Sequence, residues 1–389
     1  MENVVRNYIY RILCLIFSLI NQIVPKSNIV IFNSFPAFSD NSWELYCYMH
    51  KYRKDIFKKY KIFWGINTAD VIPKYADQVG INILKKKTIK GIWMFLRAKY
   101  IVTTHGYFGG VKSGRGQIQI NLWHGCGYKD ITNHDRTFIG DYTIATSEFY
   151  SHIQARVFDL PLNKVLVTGL PRNDLLFNKI YCLRTIGIEK EKYKKILIWM
   201  PTYRKAAFGH SGIDGSTNSF GLSSLTDNDF ILLNNALYKE NYLLIIKTHP
   251  MDTFKYEDNK ALSNIVSITT DELLDKGVRL YSLFSETDAL LSDYSSVIVD
   301  YLLLDKPIAM VLSDINEYKN SRGFVFDDVR SYFPGPIIGD ISALINYINN
   351  FDKINQNWIN HRKQLTKTFH SHIDNNSCKR VYDYFWNIK

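Results

Sequence analysis

The sequence predicts an α/β protein with two consecutive domains, each built on a parallel sheet with helices on both faces. Short apolar runs typical of buried strands alternate with stretches of helical periodicity along most of the 389 residues. The charged stretch 189–195 (EKEKYKK) divides these runs into two series. Because a chain of this length can bury two cores of ordinary size, we place an apolar N-terminal helix at 1–24 and α/β domains at 25–188 and 189–389. The domain assignment of the last helix stays open, because this helix either belongs to the second domain or packs back on the first.

Strand and helix patterns define the two series. In the first, strand signals fall at residues 28–32, 60–64, 100–103, 117–122, 142–145 and 165–168, helical patterns at 42–52 and 88–98, and a glycine-rich loop at 105–116. In the second, strand signals fall at 195–200, 242–247, 288–291 and 307–311. The segment 205–227 is rich in Gly and Ser and has no periodic pattern, which is typical of a functional lid or a disordered insert.

The charge balance predicts an anionic partner. Lys and Arg outnumber Asp and Glu to give a net charge of +11, which suits a phosphorylated substrate or an anionic membrane surface. Nucleic acid is not favoured, because the sequence has no recognition helix, zinc-finger spacing or RNA-binding aromatic signature. The five cysteines have no paired spacing, which indicates reduced thiols of an intracellular protein.

The N-terminal stretch 8–24 (YIYRILCLIFSLINQIV) is strongly apolar. As a helix it would span roughly 25 Å, short of the roughly 30 Å hydrocarbon thickness of a bilayer, and it carries Arg11, Asn21 and Gln22. We predict an anchor that lies in the plane of the cytoplasmic leaflet or inserts partly. A buried helix of the first domain and a true span are the alternatives.

Five polar segments follow predicted strands at their carboxyl ends. They are 123–125 (WHG), 169–174 (GLPRND), 201–204 (PTYR), 247–250 (KTHP) and 292–296 (SDYSS). Ligands of open parallel sheets bind outside the carboxyl ends of the strands. Two Rossmann-like domains of similar size that face each other across a cleft resemble the GT-B arrangement of nucleotide-sugar transferases, so the sequence predicts a cleft enzyme.

The junction at 286–301 is a strand that leads directly into a helix. Its apolar core 289–291 runs into Asp293, Ser295 and Ser296 before a new apolar pattern begins. Such a junction points backbone N–H groups and the positive end of a helix dipole at whatever lies above the strand, which favours phosphate. The two serines can cap the helix and offer hydroxyl donors. An ordinary capped helix is the alternative.

Two histidines at strand ends are candidates for proton chemistry. His124 precedes Gly125, which lets a ligand come close, and a histidine is suited to accept a proton from a hydroxyl near neutral pH. His249 follows the strand 242–247 and precedes Pro250, so it could neutralise a phosphate oxygen or a leaving group. For each, a purely structural role in the loop is the alternative.

Two arginines are candidates for phosphate binding. Arg172 and Arg204 follow prolines in loops at strand ends, and a guanidinium matches phosphate oxygens bidentately. A salt bridge is an equally good interpretation of each.

The histidines lack zinc-ligand spacing, no Asp-x-Asp motif lies at a strand end and no P-loop is present, so we predict neither a metal site nor a cofactor.

These segments together closely resemble the CDP-glycerol glycerophosphotransferase family, whose members prime and polymerise teichoic acids. The resemblance runs from about residue 117 to about residue 380. It rests on 119–125 (QINLWHG), 169–174, 201–204, 249–250, 292–296, 317–318 (EY) and 322–324 (RGF), which occur in family order. The resemblance implies that His124 is the catalytic base and that His249 meets the phosphate or leaving group. It further implies that the donor phosphates are bound by Asp293, Ser295, Ser296, Arg172 and Arg204, and the nucleotide side by Thr202, Arg322 and Gly323.

The resemblance also implies a reaction. Glycerol phosphate, or a related polyol phosphate, would pass from CDP-glycerol or another CDP-polyol to a hydroxyl of a polyprenyl-diphosphate-linked or polymer acceptor, releasing CMP, in teichoic acid or capsule-like polymer synthesis. The N-terminal domain would take the acceptor and the C-terminal domain the donor, in a peripheral protein at the cytoplasmic face of the cell membrane. Glycerol or ribitol, and primase or polymerase, stay open. Two alternatives are a GT-B glycosyltransferase that uses a nucleotide sugar for a lipid-linked glycan, and a non-catalytic scaffold of a wall-polymer complex.

Overall fold

The structure contains two compact units. The computed structural model describes residues 2–77, 79–132, 140–178, 181–202, 215–216, 219–248 and 262–387. The first unit comprises Met1–His124, Thr132–Asp174 and Ser371–Lys389, and the second comprises Gly125–Ile131 and Leu175–His370. The chain therefore passes into the second unit after Asp174, ahead of the stretch 189–195 at which the sequence places the boundary, and it returns to the first unit at Ser371.

The first unit is built on a seven-stranded sheet. Its strands are β1 (Ser27–Asn33), β2 (Lys61–Ile66), β3 (Ile83–Lys85), β4 (Ala98–Thr103), β5 (Ile118–Asn121), β6 (Tyr142–Ala145) and β7 (Val165–Val167). Their spatial order is β3-β2-β1-β4-β5-β6-β7, and each of these pairings is parallel.

The second unit is built on a six-stranded sheet. Its strands are β8 (Lys195–Met200), β9 (Tyr242–Ile246), β10 (Ile265–Ser267), β11 (Ala289–Ser292), β12 (Ile308–Val311) and β13 (Ile337–Ile338). Their order is β10-β9-β8-β11-β12-β13, again with parallel pairings.

Helices connect the strands in both units. In the first unit they begin with α1 (Glu2–Ile23), α2 (Asp40–Tyr52), α3 (Ile56–Lys59), α4 (Lys74–Asp77), α5 (Ile89–Arg97) and α6 (Glu148–Phe158). The second unit contains α7 (Cys182–Thr185), α8 (Asp227–Glu240), α9 (Thr270–Asp275), α10 (Leu280–Phe284), α11 (Val297–Tyr301), α12 (Ile315–Ser321), α13 (Ile341–Asn349), α14 (Phe351–Gln356) and α15 (Ile359–Phe369). The last helix, α16 (Ser377–Trp386), belongs to the first unit.

Apolar residues on both faces of each strand bury the sheets between helical layers. In β1, Val30 and Phe32 pack into one core cluster with Trp64, whereas Ile31 packs into another with Phe95 of α5. Parallel strands covered on both faces carry near-continuous apolar runs, and these are the runs that predicted the strands. The second sheet follows the same rule, since β9 is buried along its whole length.

A half-buried carboxylate secures α16 to the first unit. The two oxygens of Asp174 accept hydrogen bonds from the backbone N–H groups of Ser377 and Cys378, at 2.8 and 2.9 Å, in the first turn of the helix. Burial raises the pKa of Asp174 and these hydrogen bonds oppose the rise. The helix then packs Val381 and Phe385 into the same core cluster as Trp64.

The helix α1 contacts the first unit through a narrow polar seam. Cys14, Ser18 and Asn21 recur at helical spacing and are buried. The hydroxyl of Ser18 accepts from the Lys112 N–H at 3.0 Å, and Nδ2 of Asn21 donates to the Lys112 carbonyl at 2.9 Å and to Oε1 of Gln117 at 2.8 Å. Within the described ranges, no helix combines the length and apolar character needed to cross a bilayer.

Three strands have no counterpart in the sequence prediction, namely β3, β10 and β13. Each is two or three residues long and lies at the edge of its sheet. An edge strand has one neighbour and needs less apolar surface, so a run this short gives no recognisable pattern. The predicted loop 205–227 ends where α8 begins, and residues 203–214 and 217–218 lie outside the described ranges.

We expect Gly335→Ala to destabilise the second unit. A Cβ at Gly335 would lie 1.7 Å from the backbone oxygen of Ile308, so β12 and β13 would have to separate. Overpacking of this kind costs about 2 kcal/mol in the free energy of unfolding. The matched control is Gly339→Ala at the other end of β13, where the nearest atom lies at 3.8 Å. Urea unfolding of both variants measures the difference, and equal stability of the two would contradict the expectation.

Candidate active site

Polar side chains gather at the carboxyl edge of the sheet in the first unit. His105 follows β4, and Trp123 and His124 follow β5, so parallel pairing brings these segments to one edge. The imidazole rings of His105 and His124 stack at 4.2 Å between centroids with an interplanar angle of 5°, and the indole of Trp123 lies 3.8 Å from His124 at 37°. His124 is half-buried, so its ring is held from two directions while part of it stays accessible.

The backbone that carries His124 is fixed by two asparagines. Trp123 has a φ of 49°, in the left-handed region that is unfavourable for a bulky residue. Its N–H donates to Oδ1 of Asn121 at 2.8 Å, and Nδ2 of Asn41 donates to the carbonyls of Leu122 and Trp123 at 3.0 and 2.8 Å. These hydrogen bonds hold the strained conformation that presents His124.

His105 is a functional candidate that the sequence interpretation missed. Its Nδ1 lies 2.9 Å from the hydroxyl of Thr104, and the side chain keeps an exposed surface. The pKa of His105 is lowered to about 4, chiefly by loss of hydration; the charge of Asp40 opposes this lowering, and the charges of Arg172 and Lys86 add to it. The ring stacked on His124 is therefore neutral at physiological pH. The strand-end rule applied to His124 would have found it, because the predicted strand 100–103 ends two residues before His105.

Arg172 forms a salt bridge inside the first unit. Its guanidinium Nη1 lies 2.9 Å from Oδ1 of Asp40, and both side chains are largely buried. Its backbone N–H donates to Oδ1 of Asn41 at 3.0 Å, so the arginine and the Trp123 loop share one support. Of the two interpretations drawn from the sequence, the structure displays the salt bridge, and phosphate binding by Arg172 stays a prediction.

In the second unit, Asp293 holds the loop that follows β8. Its carboxylate accepts from the N–H of Thr202 at 3.0 Å and from the hydroxyl of Thr202 at 2.7 Å. Both residues are buried. A carboxylate only accepts hydrogen bonds and repels phosphate, so this geometry favours a positioning role for Asp293 and Thr202 at the strand ends, and their predicted contacts with the donor stay predictions.

Ser295 and Ser296 are half-exposed between buried neighbours. The helix α11 that follows is buried along its length, and a 3-10 turn (Leu302–Leu304) continues it. Ser296 occupies the N-cap position without a side-chain cap, and Oγ of Ser295 lies 3.5 Å from the Val297 N–H. The capping predicted from the sequence is therefore absent or weak. Because α11 has only five residues, its helix dipole is small. Hydroxyls and backbone N–H groups would therefore contribute more than the dipole to binding an anion here.

The segment Gly125–Ile131, which we call the strap, packs on the second unit. Lys129 and Phe324 form an antiparallel bridge, flanked by hydrogen bonds from the Asp130 N–H to the Gly323 carbonyl and from the Val325 N–H to the Tyr128 carbonyl, at 3.1 and 2.9 Å. Tyr128 is fully buried. Gly323 has a φ of +82°, so the glycine of the RGF segment is needed where the strap pairs.

Gly127 of the strap lies directly against Ser296. A Cβ built on Gly127 would lie 2.9 Å from Cβ of Ser296 and 3.0 Å from its Cα. The absence of a side chain at Gly127 therefore lets the strap reach the serine junction. Like the candidate role of His105, this contact was not indicated by any strand pattern or motif in the sequence.

Aromatic packing fixes the segment of Arg322 and Gly323. Phe324 lies 5.2 Å from the ring of Tyr294 and stacks on Tyr318 at 5.4 Å. Tyr294 precedes the two serines, and its hydroxyl donates to Oδ1 of Asp314 at 3.1 Å. The structure therefore brings the RGF segment and the serine junction together, as neighbours of one aromatic cluster.

Two predicted site residues, His249 and Arg204, lie outside the described residues, and their roles stay predictions. Lys247, at the end of β9, is buried and donates to the Thr248 carbonyl at 3.0 Å and to the Thr270 hydroxyl at 2.9 Å. In the described part of the chain, His, Cys, Asp and Glu form no group of three or more that could hold a metal ion.

Comparison with known proteins identifies the family. The family model of CDP-Glycerol:Poly(glycerophosphate) glycerophosphotransferase matches residues 16–387. The chain belongs to this family. The resemblance seen in the sequence is thus confirmed, and the chain is a member of the teichoic acid polyol-phosphate transferases.

Relatives and a solved structure agree with this family. The chain is 26% identical to a teichoic acid poly(glycerol phosphate) polymerase of Bacillus spizizenii, over 88% of this chain and 89% of the relative. It is also 26% identical to a teichoic acid ribitol-phosphate primase of the same organism, over 69% of each. The wall teichoic acid polymerase TagF matches with a TM-score of 0.73 and 21% identity, over 99% of this chain and 97% of that chain. The predicted α/β, GT-B-like fold class of the transferase is confirmed.

We expect Gly127→Ala to impair the transferase by pushing the strap away from Ser296. The added Cβ meets backbone atoms, which cannot rotate away. Since a displacement of about 1 Å at a reacting site can cost about a hundredfold in rate, we expect kcat/KM for polyol-phosphate transfer to fall at least about tenfold. Gly221→Ala is the matched control, because no atom lies within 4 Å of its Cβ. Unchanged kinetics in Gly127→Ala at unchanged Tm would show that the strap does not shape the site.

Proposed function

We propose that the chain transfers a polyol phosphate, glycerol phosphate in the first instance, from its CDP derivative to a hydroxyl of a membrane-linked acceptor, with release of CMP. The observation that carries the proposal is the pair of half-exposed hydroxyls of Ser295 and Ser296, held by a buried helix and backed by Gly127 of the strap. Family membership supports the reaction class. A variant of TagF was solved with CDPG after a soak, which supports the choice of donor.

His124 is the proposed general base. Its ring accepts the proton of the acceptor hydroxyl as that oxygen attacks the β-phosphorus of the donor. A new P–O bond forms to the acceptor, the P–O bond to the CMP oxygen breaks, and CMP leaves with the bonding electron pair. The stacked His105 and the tilted Trp123 restrict the ring to one orientation, which reduces the entropy lost in reaching the transition state.

The serine junction is the proposed donor phosphate site. The hydroxyls of Ser295 and Ser296 donate hydrogen bonds to phosphate oxygens, which gain negative charge as CMP departs. Asp293 and Thr202 keep the neighbouring loop in place. Arg204 and His249 supply positive charge in this proposal, and Arg322 and Gly323 lie on the nucleotide side. Along the chain, Gly125 of the strap follows His124 directly.

A donor panel tests the reaction. We expect CMP release from CDP-glycerol in the presence of a membrane-extracted acceptor, and no nucleotide release from UDP-sugars. His124→Ala removes the base, so its turnover should fall by about a hundredfold or more. His152→Ala, an exposed histidine of α6, is the matched control and should keep wild-type turnover. UDP release from a UDP-sugar would favour a glycosyltransferase, and full turnover by His124→Ala would overturn the mechanism.

Membrane attachment through α1 is part of the proposed function. The helix buries its polar seam and exposes its apolar side chains, among them Tyr8 (67% exposed), Leu15 (62%) and Leu19 (69%). This is the reverse of an ordinary surface helix, and an exposed apolar face of this size favours a lipid partner. Docking on the leaflet would hold the enzyme in the layer that contains a lipid-linked acceptor.

The helix α5 extends this apolar surface. It packs Phe95 and Leu96 into the same core cluster as Cys14 of α1, and it exposes Ile89 and Trp93. The guanidinium of Arg97 lies 5.8 Å from the Trp93 ring. A tryptophan next to a cation is typical of the interface between lipid headgroups and acyl chains.

We expect the double variant Leu15→Glu/Leu19→Glu to detach the protein from membranes. Each leucine contributes about 2 kcal/mol when it enters an apolar environment, so the bound fraction should fall at least about tenfold in flotation with phosphatidylglycerol vesicles. The matched control Val71→Glu/Leu162→Glu changes two exposed apolar residues of the same unit away from α1. Equal flotation of both double variants would refute attachment through α1.

A further inference from the structure

Lys86 is partly buried, and its ammonium group has few partners among the described residues. It follows β3, and its Nζ lies 3.4 Å from Oδ1 of Asn33 and 4.6 Å from the centroid of the Tyr107 ring. Among the described residues, no carboxylate lies within ion-pair distance of its Nζ. An ammonium has three N–H donors. One long hydrogen bond and one aromatic contact therefore leave most of its hydrogen-bonding capacity unused.

The surroundings of Lys86 are rigidly built. Gly65 of β2 has no side chain, and a Cβ there would lie 2.5 Å from the Tyr107 ring, so the glycine makes the room that the ring fills. Tyr107 stacks on Phe95 at 5.5 Å and 8°. Nδ2 of Asn33 donates to the Gly65 carbonyl at 2.9 Å, which turns Oδ1 of Asn33 toward Lys86. Packing therefore fixes the position of both polar partners.

Lys86 lies near the side chains around the proposed base, because its Nζ is 4.6 Å from the ring of Tyr107, two residues after His105. Its charge lowers the pKa of His105, and so does the charge of Arg172. The ring of His105 stacks on His124. Asn33 ends β1, Lys86 follows β3 and His105 follows β4, so all three lie at the carboxyl edge of one parallel sheet. A ligand that contacts Lys86 at this edge lies on the same side of the sheet as His124.

The balance of charge selects the class of ligand. Lys86 and Arg172 are positive, whereas Asp40 pairs with Arg172 and Asp70 opposes the lowering of the Lys86 pKa. His105 is neutral near pH 7. Because Asp40 offsets Arg172 and Asp70 offsets part of the Lys86 charge, this edge of the sheet suits an anion with a single charge better than a diphosphate, which carries two or three.

We propose that Lys86, Asn33 and His105 form a subsite for one phosphodiester group of the acceptor. The inference rests on the proposed function for the identity of the ligand. Lys86 supplies the charge, and the neutral imidazole of His105 can donate a hydrogen bond to a phosphate oxygen. Burial lowers the pKa of Lys86 to about 8, and an anion beside it would favour the protonated form. Such a subsite would position an acceptor that already carries glycerol phosphate.

Direct binding tests the subsite without catalysis. The probe is glycerophosphoglycerol, in which one phosphodiester joins two glycerols, titrated into the full-length protein and followed by NMR. We expect Lys86→Gln to weaken binding about tenfold, because a charge-assisted hydrogen bond contributes about 1.5 kcal/mol or more. Lys86→Arg keeps the charge and should restore most of the affinity. Lys85→Gln and Lys87→Gln are the matched controls, since these exposed neighbours should leave binding unchanged.

The possible outcomes separate this proposal from the proposed function. Unchanged binding in Lys86→Gln, or an equal loss in the two control variants, overturns the subsite. So does a wild-type protein that binds geranyl diphosphate in a Lys86-dependent manner but not the phosphodiester, because the site would then serve a lipid diphosphate. If the phosphodiester binds through Lys86 while CDP-glycerol yields no CMP with any acceptor, the subsite stands and the proposed reaction fails.

Discussion

Parallel strand pairing is the constraint on which both units depend. Each return to the sheet in the same direction requires a crossover over one of its faces, so helices cover both faces and the strands must be apolar on both sides. The same pairing directs every carboxyl end to one edge of the sheet. Polar residues that would be costly inside the core are tolerated there, and His105, His124 and the serine junction occur at such edges. The location of the candidate chemistry is thus a consequence of how the backbone hydrogen bonds are satisfied.

Polar side chains at these edges mainly hold the backbone. Asn41 binds two consecutive carbonyls beside His124, Asp293 binds the N–H and hydroxyl of Thr202, and Asp174 binds two N–H groups of α16. A loop whose backbone groups are buried must satisfy them locally, and short amide and carboxylate side chains do so without the entropy cost of longer ones. The proposed donor site instead uses groups that the backbone leaves largely unused, the hydroxyls of Ser295 and Ser296.

The sequence predicted the fold class and ten of the thirteen described strands because continuous apolar runs are required in a doubly covered parallel sheet. It predicted where His124 and Ser296 lie for the same reason. It did not predict that Asp293 binds Thr202, because residue type and position do not distinguish a carboxylate that binds backbone from one that faces a ligand. Nor did it predict the contact of Gly127 with Ser296, which joins residues far apart in the chain and leaves no periodic pattern. The buried seam of α1 was not predicted for a related reason. Its residues Cys14, Ser18 and Asn21 are too few to form a recognisable pattern in an apolar helix.

One core cluster supports both the apolar face of α1 and the platform under Lys86. Cys14 of α1, Leu84 of β3, Phe95 of α5 and Tyr107 pack together, and Tyr107 carries the Lys86 ammonium on its ring. Protein interiors are close-packed, so a change in the seat of α1 must be absorbed by its neighbours in this cluster. Through this cluster, the helix proposed to dock on lipid and the ring that supports Lys86 are packed together, so the proposed membrane attachment and the proposed acceptor subsite depend on the same apolar contacts.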